Sequence, residues 1–308
     1  MLLNDAVRME RYREAIHRTV RPGDLVLDLG SGSGILALFA CQAGAAHVYC
    51  VEREPIIRLA RQLAEANGYA DRLTFLQTDI RELVLDRKVD VIQSELIAKG
   101  AVGENMAELV GLCRDRFLKP GGRIVPQDVL LWVAPVECAR TYARSTLPQR
   151  EAYGLDFEPM LRHARNRMLS VRLASSTLLA DGQVAYRYQA MTAPLVDVFD
   201  TKLTLLPTRT GVLHGFVAWF SATLAEGITL SNPPPGTGSW DNHFFPVTSP
   251  VPVDPETTIG LRLRARSDTK FGAIWQWDTT VEAAGRAGQT SHQSSFYGEL
   301  WQFDSVPA

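Results

Sequence analysis

The sequence predicts an α/β fold: a parallel sheet flanked by helices, then a second, antiparallel β domain. Two observations lead there. Up to Val125, short apolar runs alternate with helical periodicities, and strand and helix in alternation imply a parallel sheet with helices on both faces. After Pro126 the pattern changes to strand-like runs set apart by Gly, Pro, Asp and Thr turns. A chain of 308 residues suits about two domains of roughly 150 residues. The change of pattern puts the first at 1–126 and the second at 127–308.

Each element has its own signal. Residues 25–29 form a short apolar run that ends at glycine and reads as a buried strand. Residues 35–43 read as a helix stopped by Gly44. A second strand, 48–51, ends at Glu52. Ile56, Leu59, Ala60, Leu63 and Ala64 share one face of a helix that Asn67-Gly68 stops. Residues 73–76 and 89–93 are the third and fourth strands, the latter ending at Ser94-Glu95. Residues 104–117 read as a helix, Lys119-Pro120-Gly121-Gly122 breaks it, and a fifth strand opens at Arg123. Beyond Pro126, residues 129–136, 184–188, 202–206, 212–224, 259–264 and 271–277 read as strands. Residues 154–179 have mixed helical character and read as an arm inserted into the β domain.

Composition narrows the function. With 46% hydrophobic and 21% charged residues the chain is an ordinary globular one. Thirty-two basic residues against 34 acidic ones argue against nucleic acid as a partner. No apolar run approaches the ~20 residues that span a bilayer, and the N-terminus lacks a signal peptide's basic and apolar regions. No membrane partner is expected. Cys41, Cys50, Cys113 and Cys138 have no CxxC spacing and no His cluster beside them. Neither a metal site nor a disulfide framework is expected, and a cytoplasmic location fits.

Ligands in parallel sheets bind beyond the carboxyl ends of the strands, and Gly30, Glu52, Asp79 and Glu95 all fall there. The first turn is Asp28-Leu29-Gly30-Ser31-Gly32-Ser33-Gly34. Its glycines let the backbone approach a ligand, and the next helix N-terminus offers free N–H groups. Alone, it could equally be a tight strand-to-helix turn. Its spacing is GxGxG, with Ile35 where a pyrophosphate-binding GxGxxG pattern needs its third glycine. Glu52 stands where a carboxylate binds ribose hydroxyls. Asp79 is placed to meet an adenine edge, and Ile80 offers apolar contact instead. The set resembles a class I S-adenosylmethionine-dependent methyltransferase. That resemblance implies a Rossmann-like sheet with S-adenosyl-L-methionine held by Asp28, Gly30, Gly32, Gly34, Glu52, Asp79 and Ile80.

The segment from Ser94 to Met106 carries two carboxylates, Glu95 after the fourth strand and Glu104. Folded back as a hairpin, it would aim both at one point, matching a guanidinium's fixed fork of donors. Glu104 alone reads equally as a carboxylate at a helix N-terminus. Here the chain resembles the protein arginine methyltransferases, whose double-E loop opens with Ser-Glu and closes with a second Glu nine residues later. Leu2-Leu3-Asn4-Asp5-Ala6-Val7-Arg8, with Tyr12 and Ala15-Ile16, is similar to that family's N-terminal helix. Tyr153-Gly154-Leu155-Asp156-Phe157 is similar to the start of its dimerisation arm. Ser239-Trp240-Asp241-Asn242 sits where the family has a Thr-His-Trp loop.

The resemblance implies a β-barrel-like second domain with a helical dimerisation arm at about 154–179, and a homodimer. It implies Glu95 and Glu104 as catalytic groups, with Arg8 on the cofactor's methionine carboxylate. Ser239, Trp240 and Met106 would line the substrate pocket. The implied substrate is arginine in a protein or peptide; a small guanidino compound such as free arginine, or a silent binding relative, are the alternatives. Two departures stand out. The family's loop histidine is Ser239, so its pairing with an aspartate, here Asp5, cannot form, and the sequence does not say whether His243 substitutes. The double-E loop carries Leu96, Ile97, Lys99, Val102 and Gly103 in place of bulkier residues, and Gly103-Glu104 looks like the monomethylating branch. Trp240 reads equally as a packing anchor. Trp219, Trp275, Trp277 and Trp301 read as β-domain core. The run from Arg162 to Arg167 reads as a solvated helix face.

Overall fold

A computed structural model describes residues 2–98, 101–145, 151–196, 198–236, 238–268, 272–283 and 288–295. Lys99 and Trp301 lie outside the described residues. The chain opens with α1 (Ala6–Thr19), followed by β1 (Leu25–Leu29), α2 (Ile35–Gln42), β2 (His47–Val51), α3 (Ile57–Ala66), β3 (Leu73–Leu76), β4 (Val89–Ser94), α4 (Met106–Phe117) and β5 (Leu118–Val125). The five strands form one parallel sheet in the order β3-β2-β1-β4-β5. The order reverses between β1 and β4, so the carboxyl ends of these two strands open a crevice at the switch point. Val26, Leu27, Leu29, Val89, Val91 and Ile92 are fully buried, as strands covered on both faces require.

Three expectations shift. The fifth strand begins at Leu118, not Arg123. It is the edge strand, where proline and a glycine at positive φ (Gly121, +73°) are tolerated, and its register slips opposite Asp90. Helix α3 buries Ile57, Ala60 and Ala64, while Ile56 and Leu59 are exposed. The face turns because the Gly34 turn packs directly on Ala60, and only small side chains allow that approach. Glu104 does not start α4: the helix begins at Met106, and Asn105 at φ 55° is its cap.

The second half holds β6 (Asp128–Val136), α5 (Ala139–Ser145), β7 (Glu151–Ala152), β8 (Leu155–Asp156), α6 (Glu158–Arg165), β9 (Leu169–Val171), β10 (Gln183–Gln189) and β11 (Val198–Leu205). Then come β12 (Gly211–Ala225), β13 (Ile228–Ser231), β14 (Asn242–Val253), β15 (Thr258–Asp268), β16 (Gly272–Glu282) and β17 (Gln289–Ser294). The strands form two larger antiparallel sheets, β10-β6-β12-β14-β9 with β13 on β12, and β11-β15-β16-β17, and the two-stranded sheet β7-β8. Aromatic rings join the two larger sheets. Phe245 of β14 meets Trp275 and Trp277 of β16 at 5.2 and 5.3 Å, and Tyr186 of β10 stacks on Phe199 of β11 at 4.9 Å. Trp219 stacks on Trp132.

The stretch 154–179, expected as an arm, holds β8, α6 and β9. Residues 169–171 are β9, paired with β14, and Leu173 and Leu179 are buried. The exposed apolar side chains of this region, Tyr153, Leu155 and Met160, lie on β8, α6 and the turn before them. Helix α1 packs on α2 and on the β12–β13 hairpin with Tyr12, Ala15 and Ile16 buried, so it ties the two halves together above the crevice. No helix among the described residues is long and apolar enough to cross a membrane.

Candidate active site

A cleft of about 540 Å³ opens at the carboxyl ends of β1, β2 and β4. Gly30, Glu52, Asp79, Ile80, Glu95 and Glu104 all line it. The glycine turn forms one wall. Gly30, Gly32 and Gly34 have φ of +65°, +52° and +80°, a region that side chains disfavour. A Cβ on Gly34 would stand 2.9 Å from Ala60 Cβ, and one on Gly30 would stand 3.0 Å from Leu96 Cδ2. Glu52 accepts from Gly32 N (3.0 Å) and Glu54 N (2.9 Å), which ties the turn to the end of β2. Asp79 caps the short turn after it, accepting from Arg81 N at 2.8 Å. Arg81 in turn holds Glu108 of α4 at 2.7 and 2.9 Å.

Asp28 is fully buried behind the turn rather than on the cleft wall, with Oδ1 accepting from Gln93 Nε2 at 3.1 Å. Burial raises its carboxyl to about 7 against the pull of hydrogen bonds from Gln93 and Ser31. Asp28 Oδ2, Gln93 Oε1 and Ser94 Oγ have no hydrogen-bond partner among the described residues. Buried polar atoms left so are uncommon and point to a ligand or water that completes them.

The loop from Glu95 to Met106 supplies the acidic wall. Burial raises the Glu95 carboxyl to about 7; Arg8 opposes this, and Glu104 and Asp5 add to it. Burial likewise raises Glu104, opposed by Arg8. Glu104 sits between Gly103 at φ +129° and Asn105 at φ +55°, so the backbone turns twice to present it. Gly103 N donates to Ser267 Oγ at 3.0 Å, and its Cα faces Gly272 and Ala273 of β16. The β domain thus braces the loop tip, and Asp268 and Gly272 join the cleft wall. Sequence reasoning missed Ser267, Asp268 and Gly272, which meet the loop only through the fold.

Arg8 is buried, and it is not among the residues lining the cleft. Its Nη1 lies 3.4 Å from Glu95 Oε2, and its Nη2 lies 3.3 Å from Asp5 Oδ2 and donates to Ser239 Oγ at 2.6 Å. Its guanidinium carbon is 3.2 Å from the Trp240 ring centroid. Trp240 is buried and meets Phe220 edge-on at 4.8 Å, so its indole serves both as core and as floor for Arg8. Met106 is buried at the start of α4. His243 is buried beside Trp275 and Phe245 in the β domain, while Ser239 takes the place beside Asp5. Among the described residues, no group of three or more His, Cys, Asp or Glu could hold a metal ion.

A parallel sheet with a GxGxG turn, a carboxylate closing the second strand and an acidic loop after the fourth is the architecture of the Rossmann-like methyltransferases. Residues 13–126 match the family model for ribosomal protein L11 methyltransferase (PrmA). The match to relatives runs further. An arginine N(omega)-methyltransferase of Streptomyces achromogenes subsp. streptozoticus is 32% identical over 278 residues, 85% of this chain and 74% of that protein. The "Probable protein arginine N-methyltransferase 6" of Arabidopsis thaliana is 33% identical over 227 residues, 71% of this chain. The chain belongs to the arginine N-methyltransferase family. It spans only 52% of the length of the Arabidopsis relative. Among solved structures, the Trypanosoma brucei PRMT1 enzyme–prozyme heterotetrameric complex with AdoHcy superposes with a TM-score of 0.86 at 22% identity, covering 95% of this chain and 96% of that one. Arabidopsis thaliana protein arginine methyltransferase 10 gives 0.81 at 23% identity, with 95% of each chain covered. These two establish the shared fold.

Proposed function

We propose that the protein is an S-adenosylmethionine-dependent N-methyltransferase acting on a guanidino nitrogen of arginine in a protein or peptide. The observation that carries this is that Glu95 and Glu104 both line the cleft that Gly30 of the glycine turn also lines. The cleft fits the cofactor. Gly30, at φ +65°, brings bare backbone to the cleft wall, Glu52 offers a carboxylate at the end of β2, and buried polar atoms of Asp28, Gln93 and Ser94 have no hydrogen-bond partner among the described residues. Gly30, Glu52, Asp79 and Ile80, which line the cleft, would hold it, on a turn shaped by Gly32 and Gly34 and backed by the buried Asp28; Arg8, buried beside Glu95, would meet its carboxylate only through a shift of its side chain. Bound there, S-adenosylmethionine supplies an electrophilic methyl group.

The chain's own residues would do the rest. Two carboxylates offset the repulsion between a cationic guanidinium and a sulfonium, and they fix the acceptor nitrogen in line. Such positioning contributes ~7–11 kcal/mol in favourable cases, and fixed charges in a cleft that excludes water add to it. Glu95 and Glu104 must be ionised to receive the guanidinium. The proton lost from the acceptor nitrogen would pass to Glu104 or to solvent.

The relative's name supports a second reading. The Streptomyces protein is called an arginine, not a protein arginine, methyltransferase, and its match covers 85% of this chain. Free arginine is then the acceptor. We infer further a homodimer through the exposed apolar side chains Tyr153, Leu155 and Met160. A cytoplasmic location accords with four buried free thiols. The test is transfer of labelled methyl to an arginine peptide and to free arginine. Methylarginine in the peptide supports the first reading, label on free arginine alone supports the second, and label on neither overturns both.

A further inference from the structure

Arg8 is oriented from one side. Its contact with Glu95 is long, 3.4 Å, and its ion pair with Asp5 is 3.3 Å. The short bond is to Ser239 Oγ, 2.6 Å from Nη2. Ser239 Oγ also lies 2.9 Å from Asp5 Oδ2, and Ser239 N donates to the same oxygen at 2.9 Å. The directions of these bonds are fixed by the groups themselves. A guanidinium only donates, an ionised carboxylate only accepts, and a hydroxyl has one proton and two lone pairs. The Ser239 proton therefore goes to Asp5, and a lone pair receives Arg8. Bonds in such a chain polarise one another, more so away from water, and Asp5 and Arg8 are both buried.

The turn that carries Ser239 is pressed against Asp5. Gly238 has φ +62°, and a Cβ there would stand 2.6 Å from both carboxylate oxygens. Asp5 also accepts from Arg8 N at 3.2 Å as the cap of α1. Burial pushes the Asp5 carboxyl up, and the bonds from Ser239 and Arg8 outweigh it, so that it stays below the usual carboxylate range. It is a firm anchor, and the hydroxyl extends its hold by one bond.

We propose that Ser239 is a positioning residue: it bridges Asp5 to Arg8 and so keeps the guanidinium flat on Trp240 with one nitrogen toward Glu95. The role follows from the methyltransferase reading, because Glu95 is there the carboxylate that must be ionised. Among the described residues, Arg8 is the cation that favours the ionised form of Glu95, against burial, Glu104 and Asp5. The groups facing Glu95 are Asp5, Arg8 and Tyr12 from α1 and Glu104 from its own loop; the β domain faces it with the uncharged Ser239 and Trp240 beyond Arg8. Freed from Ser239, Arg8 would hold Glu95 less well, and Glu95 would ionise at higher pH.

The test compares Ser239→Ala, which removes the acceptor, with Ser239→Thr, which keeps it. In the Ala variant kcat/KM for the guanidino acceptor falls roughly tenfold or more at neutral pH, the scale of a lost hydrogen bond to a charged group. Its acid limb moves to higher pH, and Thr restores both. If the Ala variant does not fold, Ser239→Cys, close in size and a weak acceptor, gives the same comparison. A 13C NMR titration of the Glu95 carboxyl, assigned with Glu95→Gln, reads the shift without turnover. It therefore separates failure of this proposal from failure of the functional reading, which shows as no methyl transfer by the unmodified chain. An acid limb and a Glu95 titration unchanged in Ser239→Ala, with only the melting temperature lowered, overturn the proposal.

Discussion

Arg8→Met keeps the length and packing of the stem over Trp240 while deleting the charge. Arg8 is the shared cation of two buried carboxylates: its side chain is 9% exposed, Asp5 is 2% and Glu95 is 14%. Removing one partner of a buried pair leaves the other uncompensated and costs about 3–5 kcal/mol. Asp5 keeps its bonds from Ser239 and from the Arg8 backbone, so the lower end, about 3 kcal/mol, applies at pH 8. The cost depends on pH in a definite direction. Burial already holds Glu95 at about 7 in the folded state with Arg8 present. Without Arg8 it rises further above its unfolded value. A carboxyl with a raised folded pKa binds its proton more tightly when folded, so stability falls as pH rises from the unfolded value through the folded one. At pH 5 Glu95 is protonated in both proteins and its share of the loss disappears; what remains is the cation–π contact with Trp240, about 1 kcal/mol, and the ion pair to Asp5, which is still ionised. Urea unfolding at pH 5 and pH 8 reads the difference. Equal losses at both pH values would refute the assignment of Arg8 as the counter-ion of Glu95.

Three further outcomes are expected. Gly34→Ala places a methyl 2.9 Å from Ala60 Cβ at φ +80°, and the left-handed backbone alone costs about 1–2 kcal/mol; calorimetric titration with S-adenosylmethionine should show binding weakened more than tenfold. The kcat/KM profile should have an acid limb near pH 7 from Glu95, and Glu104→Gln, which removes a like charge, should move the residual activity's limb to lower pH; a limb that stays put contradicts the coupling. Asp28→Asn removes a buried carboxyl held near 7. Its melting temperature relative to the unmodified chain should be higher at pH 8 than at pH 5, because burial penalises only the ionised form.

The parallel sheet was legible because strands buried on both faces read as unbroken apolar runs. Their ends are marked by glycine or a carboxylate, and those ends are the cleft. Strand β14 was not legible, since Pro246, Pro250 and Pro252 lie within it and proline inside a run argues against a strand. Glu104 read as the start of a helix because Asn105 gives no sign that it adopts a left-handed conformation. The face of α3 was legible at Ala60 and Ala64 but misplaced at Ile56 and Leu59, which are exposed where Ile57 is buried; the close approach of Gly34 to Ala60 sets the face, and no hydrophobic periodicity registers it. The pairing of Asp5 with Ser239 spans 234 residues, and no local pattern announces it. Only the resemblance of both segments to one family brought them near each other, and there it pointed to a missing histidine rather than to the bridging hydroxyl.

The central claim is that Glu95 and Glu104 receive a guanidinium while the glycine turn and Glu52 hold the cofactor. Isothermal titration of the unmodified chain and of Glu95→Gln, first with S-adenosylmethionine and then with an arginine peptide or free arginine, tests it most directly. The account predicts cofactor affinity within a few-fold of the unmodified chain and a loss of guanidino binding on the order of a hundredfold, the scale of a hydrogen-bonded charge pair. Equal loss of both ligands, or no change in guanidino binding, would contradict it.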